Sequence, residues 1–380
     1  MGSKKIDIAV GGYFHADRLA LALQSAGHDL RLLTTFPASR FPENIRSTVR
    51  SFLFPEVVYR GMRKLHLENP GDHFKMWRFG NETSRWIGKT NRHSDLFIGW
   101  SSFCLEALRK KRSSFQVVIR DSAHISRQTE ILTMEYQKYG IELPNRSFCI
   151  ERELEEYELA DSIWVLSEFA KKTFIEKGFS DSKLHKIRLG ADLSRFKPDL
   201  TKAEISLPLK VIYFGNISLR KGIPYLLEGT KKFKKSELTL TLVGSVAEEM
   251  QAILSKYPHA KWVPAMKQEK LAEFIRGFDV FVFPTLEDGF GMTLPQAMAS
   301  GLIPLVTDHC GAAEIVDNGK NGMIVAAANS RAIEEGLESW IDNLAALNTL
   351  RNNILRMGEA VSWSEYDRNV THWVESLFAD

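Results

Sequence analysis

The hydrophobic positions of this chain form short β-type runs, which are separated by longer stretches with apolar residues at helical spacing. Regular alternation of strands and helices is typical of α/β proteins with parallel sheets. Six predicted strands lie in the first half, at residues 6–10, 30–34, 96–99, 117–120, 163–166 and 186–189. Six more lie in the second half, at residues 210–214, 238–243, 261–263, 280–283, 304–306 and 323–325.

Two successive series of this kind predict two Rossmann-like domains. The junction falls within residues 195–208, which contain two prolines and little periodicity. We therefore expect a first domain over residues 1–195 and a second over residues 196–361. The tail, residues 362–380, has aromatic and aliphatic residues at helical spacing and predicts a helix.

Composition narrows the class of protein. The 380 residues suffice for two domains with separate cores, and contents of 44% hydrophobic and 26% charged residues are typical of a globular protein. Three widely spaced cysteines indicate a reducing compartment and no metal cluster. The N-terminal residues do not resemble a signal peptide, and no apolar run approaches transmembrane length. We expect a cytoplasmic protein that binds no nucleic acid.

Several candidate functional residues follow predicted strands directly. They are Gly11 and Gly12, His124, Lys221 and Asp288. Because open parallel sheets bind ligands beyond the carboxyl ends of their strands, two facing domains would place these residues around one cleft. Taken alone, His124 is more typical of a helix cap or a core histidine, and the glycine pair of a tight turn.

The most informative segment is FPTLEDGFGMTLPQAMASG, residues 283–301. An apolar strand ends in the acidic pair Glu287 and Asp288, a glycine loop follows, and a short helix begins at Thr293. This order presents backbone N–H groups to an anionic ligand. Gln296 lies eight residues after Asp288. It could face the ligand or form a capping box with Thr293, and Asp288 could instead be a solvated loop acid.

A second motif, FGNISLRKGIPYLLE at residues 214–228, places two cations before a helix. Arg220 and Lys221 could neutralise a diphosphate while the helix N-terminus donates N–H groups. The alternative is a solvated basic turn.

These motifs resemble those of the family 4 glycosyltransferases, retaining enzymes with the GT-B fold. The resemblance runs from about Arg120 to the C-terminus and is strongest over residues 215–322. It implies two Rossmann-like domains facing a cleft, with the C-terminal helix crossing back to the first. Asp288 and Gln296 stand where the family usually has two glutamates, and Asn216 stands where it has an arginine. Arg220 could replace that missing cation, and Glu287 could extend the reach of Asp288.

The resemblance also implies roles for individual residues. Asp288 would hold sugar hydroxyls, and Lys221, Arg220 and the N–H groups of residues 289–293 would stabilise the leaving diphosphate. His124, within RDSAHIS, would orient the sugar. The remaining donor-binding residues implied are Gly12, Asn216, Val263, Met266, Glu287, Gly289, Phe290, Gly291, Met292, Thr293 and Gln296. Glu314 would support the site.

The function predicted by this resemblance is transfer of a hexose-type sugar, with retention, from a nucleotide-diphosphate sugar to a hydroxyl acceptor. The donor would be UDP- or GDP-linked, and no cofactor is expected. The chain contains no Asp-x-Asp motif, so we expect no metal. A sugar-nucleotide hydrolase or epimerase on this fold, or a non-catalytic nucleotide-sugar-binding protein, remains an alternative.

Charge distribution suggests where the acceptor binds. Residues 40–112 contain 15 basic and 7 acidic residues, and residues 45–67 interleave basic with aromatic and aliphatic side chains. Such a stretch can lie on an anionic membrane surface. We expect a lipid-linked or glycan acceptor, with peripheral membrane contact through residues 40–112. The alternative is a solvated basic face over an ordinary core helix.

Overall fold

The strands of the computed structural model, which describes residues 2–65, 67–89, 93–357 and 361–378, form two separate parallel sheets. The first sheet contains β1 (Lys5–Val10), β2 (Asp29–Thr34), β3 (Val49–Ser51), β4 (Ser94–Trp100), β5 (Ser113–Arg120), β6 (Ser162–Val165) and β7 (Leu184–Lys186). The second contains β8 (Leu209–Phe214), β9 (Leu238–Val243), β10 (Ala260–Val263), β11 (Val280–Phe283), β12 (Ile303–Thr307) and β13 (Met323–Val325). Two Rossmann-like α/β domains are thereby confirmed.

Helices connect the strands throughout the described ranges. In the first half they are α1 (Ala16–Ser25), α2 (Phe54–Lys64), α3 (Glu68–Gly88), α4 (Leu105–Leu108), α5 (Ile125–Lys138), α6 (Ser147–Leu159) and α7 (Glu168–Glu176). In the second half they are α8 (Ile223–Thr230), α9 (Gln251–Leu254), α10 (Gln268–Ile275), α11 (Thr293–Ala299), α12 (Ser330–Asp342), α13 (Leu344–Arg356) and α14 (Trp363–Ser376). Short 3₁₀ helices span Ala38–Arg40, Glu43–Thr48, Asp181–Lys183, Glu248–Met250 and Gly311–Ile315.

The strand order of each sheet reverses once, and this places the ligand-binding edge. The first sheet has the order β3-β2-β1-β4-β5-β6-β7, and the second has β10-β9-β8-β11-β12-β13. The loops after β1 and β4, and those after β8 and β11, therefore turn to opposite faces and leave a crevice between them. The strands are apolar because helices cover both sheet faces. In β11, for example, all four residues are buried.

The C-terminal helix crosses back onto the first domain, as predicted. On α14 the Trp373 ring contacts Trp164 of β6 at a centroid distance of 4.7 Å. Arg188 donates to Glu365 over 2.9 Å. The tail therefore ties the end of the second domain to the first sheet. Residues 379 and 380 of the predicted tail, and residues 358–360 of the predicted second domain, lie outside the described residues.

Two local predictions differ from the structure. The strand predicted at residues 186–189 lies earlier in the chain, as β7, Leu184–Lys186. It ends there because its pairing with β6 ends at Lys186 and the partner Val165. Strand β3 was not predicted, since its three residues VRS form no apolar run. The first sheet ends at Lys186 and the second begins at Leu209, so the predicted junction lies between them. The exact bounds at 195 and 361 stay a prediction.

Pro55 lies in the first turn of α2, where a proline loses no helical hydrogen bond. Among the helices in the described ranges, none combines the length and apolar content needed to cross a membrane.

Candidate functional site

A cleft of about 690 Å³ lies between the two domains, at the carboxyl ends of both sheets. Eight of the predicted site residues line it: Asn216, Lys221, Asp288, Phe290, Gly291, Met292, Thr293 and Gln296. The structure therefore brings the glycine loop and the lysine of the second motif together. Both motifs follow strands at the reversal of strand order in the second sheet, β8 and β11.

Lys221 and Asp288 form an ion pair at this cleft. The Lys221 ammonium contacts Asp288 Oδ2, and the two side chains are only 15% and 17% exposed. The ammonium also lies 5.5 Å from the Phe283 ring centroid. A cation that is mostly shielded from water interacts strongly with an anionic ligand, and the adjacent carboxylate can accept hydrogen bonds from hydroxyl groups. The pair thus offers one group for a phosphate and one for a sugar.

The glycine loop packs directly against the first domain. A Cβ on Gly289 would lie 2.2 Å from the Asp121 carbonyl oxygen, so only glycine fits. Gly291 has a φ of +86° and turns the chain into α11. The first turn of α11 makes no side-chain capping bond, and within the described residues Thr293 Oγ1 is buried without a partner. The capping box considered for Gln296 is therefore not formed, and Gln296 lines the cleft.

Glu287 points away from the cleft and into the first domain. Its carboxylate is fully buried and accepts from Ser122 Oγ, from the Ala123 N–H over 2.9 Å and from Gln128 Nε2 over 2.7 Å. Arg220 Nε completes the set from the second domain over 3.0 Å. Burial raises the pKa of Glu287, but the Arg220 charge and these hydrogen bonds outweigh it and hold the pKa at about 2.

Glu287 and Arg220 belong to one group of hydrogen-bonded side chains between the domains, which we call the interdomain cluster. Its other members are Ser122, Ala123 and Gln128. Neither Glu287 nor Arg220 belongs to the cleft lining within the described residues, because each is used by the interdomain cluster. The contacts that the sequence suggested for them, sugar for Glu287 and diphosphate for Arg220, stay predictions.

His124 occupies a helix cap inside the first domain. It precedes α5, and its Nδ1 accepts from the Ser126 N–H over 3.2 Å. Its ring is buried against Tyr157, Phe174 and Phe179. Burial, with the charges of Arg120 and Lys177, lowers the pKa of His124 to about 4, so the imidazole is neutral at neutral pH. The structure places it behind the cleft wall, and its sugar contact stays a prediction.

Five further predicted residues lie outside the cleft lining of the described chain: Gly12, Val263, Met266, Gly289 and Glu314. Gly12 belongs to the turn after β1, where its carbonyl accepts from Thr34 Oγ1 over 2.6 Å. Val263 ends β10, and Met266 packs against the core beyond it. Glu314 bridges the domains: it accepts from the Glu168 N–H over 2.5 Å and from Lys186 over 3.0 Å.

Sequence reasoning missed the wall that the first domain contributes. It consists of aromatic and charged residues from the β1–α1 loop, the first turn of α1, the residue after β5, the interdomain passage and α14. They are Tyr13, Phe14, His15, Asp17, Arg18, Asp121, Asp192, Arg195, Phe196 and Trp363. Asp121 could have been found, because it follows a predicted strand at the ligand-binding edge. The described residues contain no group of three or more His, Cys, Asp or Glu side chains placed to hold a metal ion.

Comparisons with known proteins agree with this geometry. Residues 201–357 match the family model "Glycosyl transferases group 1". The capsular polysaccharide biosynthesis glycosyltransferase CapM of Staphylococcus aureus is 31% identical over 147 residues, which cover 37% of this chain and 39% of that protein. The chain spans about half, or less, of the length of several curated relatives that it matches.

Two solved structures share the fold over nearly the whole chain. Sucrose-phosphate synthase from Thermosynechococcus elongatus superimposes with a TM-score of 0.73 at 17% identity, covering 99% of each chain. HepE of Anabaena, solved in complex with UDP, gives a TM-score of 0.66 at 14% identity, covering 98% of this chain and 100% of that one. The chain therefore has the GT-B fold, and residues 201–357 are similar to glycosyltransferase group 1 domains.

Proposed function

We propose that this protein is a glycosyltransferase that moves a hexose-type sugar from a nucleotide-diphosphate sugar to a hydroxyl acceptor. The observation that carries the proposal is the Lys221–Asp288 pair beside the glycine loop, in a cleft between two Rossmann-like domains. Support also comes from the group 1 domain at residues 201–357 and from HepE, a neighbour of the same fold that was solved with UDP.

The proposed donor is UDP- or GDP-linked, and each cleft residue has a proposed role toward it. Lys221 neutralises the diphosphate, and N–H groups of residues 289–293 donate to it. Asp288 accepts from sugar hydroxyls, and Gln296 reaches the ribose. The Arg220 side chain is bonded to Glu287, and the His124 ring is packed against aromatic rings of the first domain. Their proposed roles therefore require each side chain to leave these contacts when the donor binds.

The proposed reaction retains the anomeric configuration. The acceptor hydroxyl oxygen bonds to the anomeric carbon on the face from which the diphosphate leaves. As the bond from that carbon to the diphosphate oxygen breaks, its electron pair stays with the diphosphate, and a leaving phosphate oxygen takes the acceptor's proton. Lys221 stabilises the charge that develops, so we propose that no metal is needed.

A nucleotide screen followed by a product assay tests this function. UDP, GDP and ADP are compared by thermal shift, since a ligand of the native state raises the melting temperature. The matching nucleotide sugar is then offered with hydroxyl acceptors in the presence of EDTA, and NMR of the product gives its anomeric configuration. We expect transfer with retention. Hydrolysis without acceptor would indicate a hydrolase, and binding without turnover a binding protein. An inverted product, or strict Mg²⁺ dependence, would contradict the proposed mechanism.

A membrane-bound acceptor fits the solvent face of α2. Phe54, Val57 and Leu65 are 53%, 65% and 70% exposed and lie on one side of the helix. Arg60 and Lys64 are exposed beside them. We propose that this face, residues 53–65, rests on an anionic membrane, with each Lys or Arg contributing about 1 kcal/mol. The acceptor would then be a lipid or a lipid-linked sugar. His66 and residues 90–92 of the predicted basic segment lie outside the described residues.

A further inference from the structure

The first-domain wall of the cleft presents an exposed aromatic ring, Phe14, and a partly exposed carboxylate, Asp121. Phe14 is 54% exposed and has a φ of +43°, which is rare for a residue with a side chain. Asp121 Oδ1 is buried at this wall, and no donor in the described part of the chain reaches it. Backbone strain and an unpaired buried oxygen are both costly, and both occur often at ligand sites.

One buried indole fixes both groups. Trp100 Nε1 donates to the other carboxylate oxygen, Asp121 Oδ2, over 3.1 Å. The Phe14 ring lies nearly parallel to the Trp100 ring, at a centroid distance of 6.4 Å and an angle of 19°. His15 Nδ1 lies 3.9 Å from Asp121 Oδ2. Because the same indole bonds to Oδ2 and packs against Phe14, the Asp121 carboxylate and the Phe14 ring keep a defined separation.

The interdomain cluster sets this wall opposite the donor-side residues. Glu287 accepts from Ser122 and Ala123, the two residues after Asp121. Gly289 lies against the Asp121 carbonyl. The loop that carries Asp121 is therefore seated on the glycine loop that carries Asp288, and both carboxylates line the same cleft.

The chemistry of this wall suits one class of ligand. An ionised carboxylate oxygen only accepts hydrogen bonds, so its partner must be a hydroxyl or N–H group. Its negative charge repels the diphosphate of a donor. An exposed aromatic face packs against flat apolar surface, such as the C–H face of a sugar ring. Lys221 and the other cleft-lining residues proposed for the donor belong to the opposite domain.

We propose that this wall is an acceptor subsite for a sugar ring, which stacks on Phe14 and donates a hydroxyl to the Asp121 carboxylate. This inference rests on the proposed glycosyltransferase function and narrows it: the acceptor ends in a sugar rather than in a simple alcohol. On a membrane the matching substrate class is a lipid-linked sugar.

The test uses Asp121→Asn and Phe14→Ala with n-octyl β-D-glucoside as the acceptor and UDP-glucose or GDP-mannose as the donor. We expect each substitution to raise the acceptor KM roughly tenfold or more, in line with loss of a hydrogen bond to a charged group or of an aromatic contact. The donor Kd should not change. Phe274→Ala, at an exposed phenylalanine of α10 outside the cleft lining, is the matched control and should leave both constants unchanged.

Saturation-transfer NMR measures the binding of octyl glucoside to the UDP-saturated protein. This second readout needs no turnover. Equal binding by the unaltered protein and by Asp121→Asn overturns the inference, while the proposed function stands if the donor is still turned over. A parallel rise in donor Kd would assign the wall to the donor and also overturn it. Transfer to n-octanol as good as transfer to octyl glucoside would exclude the sugar class. Absence of binding and turnover of both donors would refute the proposed function itself.

Discussion

Lys221 and Asp288 contact each other in the cleft, so a bound donor must replace part of an ion pair that is already formed. The pair keeps two charges positioned while their exposure to water is small. The Lys221 ammonium reaches Asp288 although the Asp288 side chain is one carbon shorter than glutamate. Removal of either partner would leave the other partly buried and unpaired.

Lys221→Ala should therefore lower kcat/KM by roughly a hundredfold or more, since one charge-stabilising donor is lost from the transition state. It should also reduce the thermal shift produced by the preferred nucleotide. Steady-state kinetics and melting curves measure both effects. Lys320→Ala is the matched control, because Lys320 also pairs with an aspartate but is 75% exposed and outside the cleft lining. Near-normal turnover of Lys221→Ala would contradict the assignment.

At the scale of elements, two loops meet around one buried carboxylate. The loop after β11 supplies Glu287, and the loop after β5 with the first turns of α5 supplies Ser122, Ala123 and Gln128. Gln128 also accepts from Arg120, which donates to the buried Glu153. The contact therefore continues into the first-domain core. Because Glu287 obtains most of its hydrogen bonds from the other domain, it stabilises the arrangement of the two domains in this structure.

Glu287→Gln should change the acid stability of the protein. The pKa of Glu287 lies at about 2 in the folded state, below its ordinary value of 4.5. The ionised Glu287 carboxylate therefore contributes its full stabilisation of the folded state above pH 4.5 and loses it as pH falls toward 2. The difference between the two pKa values corresponds to about 3 kcal/mol of folding free energy. The neutral amide lacks this contribution, and its NH₂ group cannot accept from the Ala123 N–H.

Melting temperatures between pH 3 and pH 7 measure this effect. The variant should be less stable than the unaltered protein at pH 7, and the difference should shrink toward pH 3. Glu334→Gln, at a surface ion pair with Lys232, is the control and should follow the unaltered protein at every pH. A difference that stays constant with pH would show that Glu287 does not act through its charge.

At the scale of the whole molecule, polar contacts outside the cleft also join the domains. Glu314 accepts from Lys186 and from the Glu168 N–H. On another side, Tyr225 donates to Glu135 over 2.7 Å. The chain also has uneven charge: residues 1–199 carry a net charge of +7 and the remainder −4. The first domain is thus the one that an anionic surface attracts.

Liposome co-sedimentation tests the docking face of α2. The protein should bind phosphatidylcholine vesicles that contain phosphatidylglycerol, and binding should weaken at high salt, since salt screens surface charges. Val57→Asp should reduce the bound fraction. Ile175→Asp, at a residue of α7 that is 44% exposed, is the control and should bind as the unaltered protein does. Negligible binding with and without anionic lipid, at both salt concentrations, would favour a soluble acceptor.

The sequence predicted most of the fold because buried parallel strands are recognisable as apolar runs. Eleven of the twelve predicted strands overlap closely with observed strands, whereas β7 is displaced and β3 was missed. Eight predicted site residues line the cleft, since glycine loops and cations placed just after strands must lie at one sheet edge. The predicted roles of these residues are still to be measured.

The sequence by itself determined approximately where most strands end, and hence the candidates Lys221, Asp288 and the glycine loop. It could not determine which way each side chain turns, because that depends on residues distant in the chain. Glu287 and Asp288 are neighbours, yet one is buried in the first domain and the other lines the cleft. His124 is enclosed by rings from α6 and from the end of α7, and Asp121, three residues earlier, faces the cleft. Tertiary packing decides these directions, between the domains for Glu287 and within the first domain for His124, since burial and hydrogen-bond partners are properties of the assembled structure.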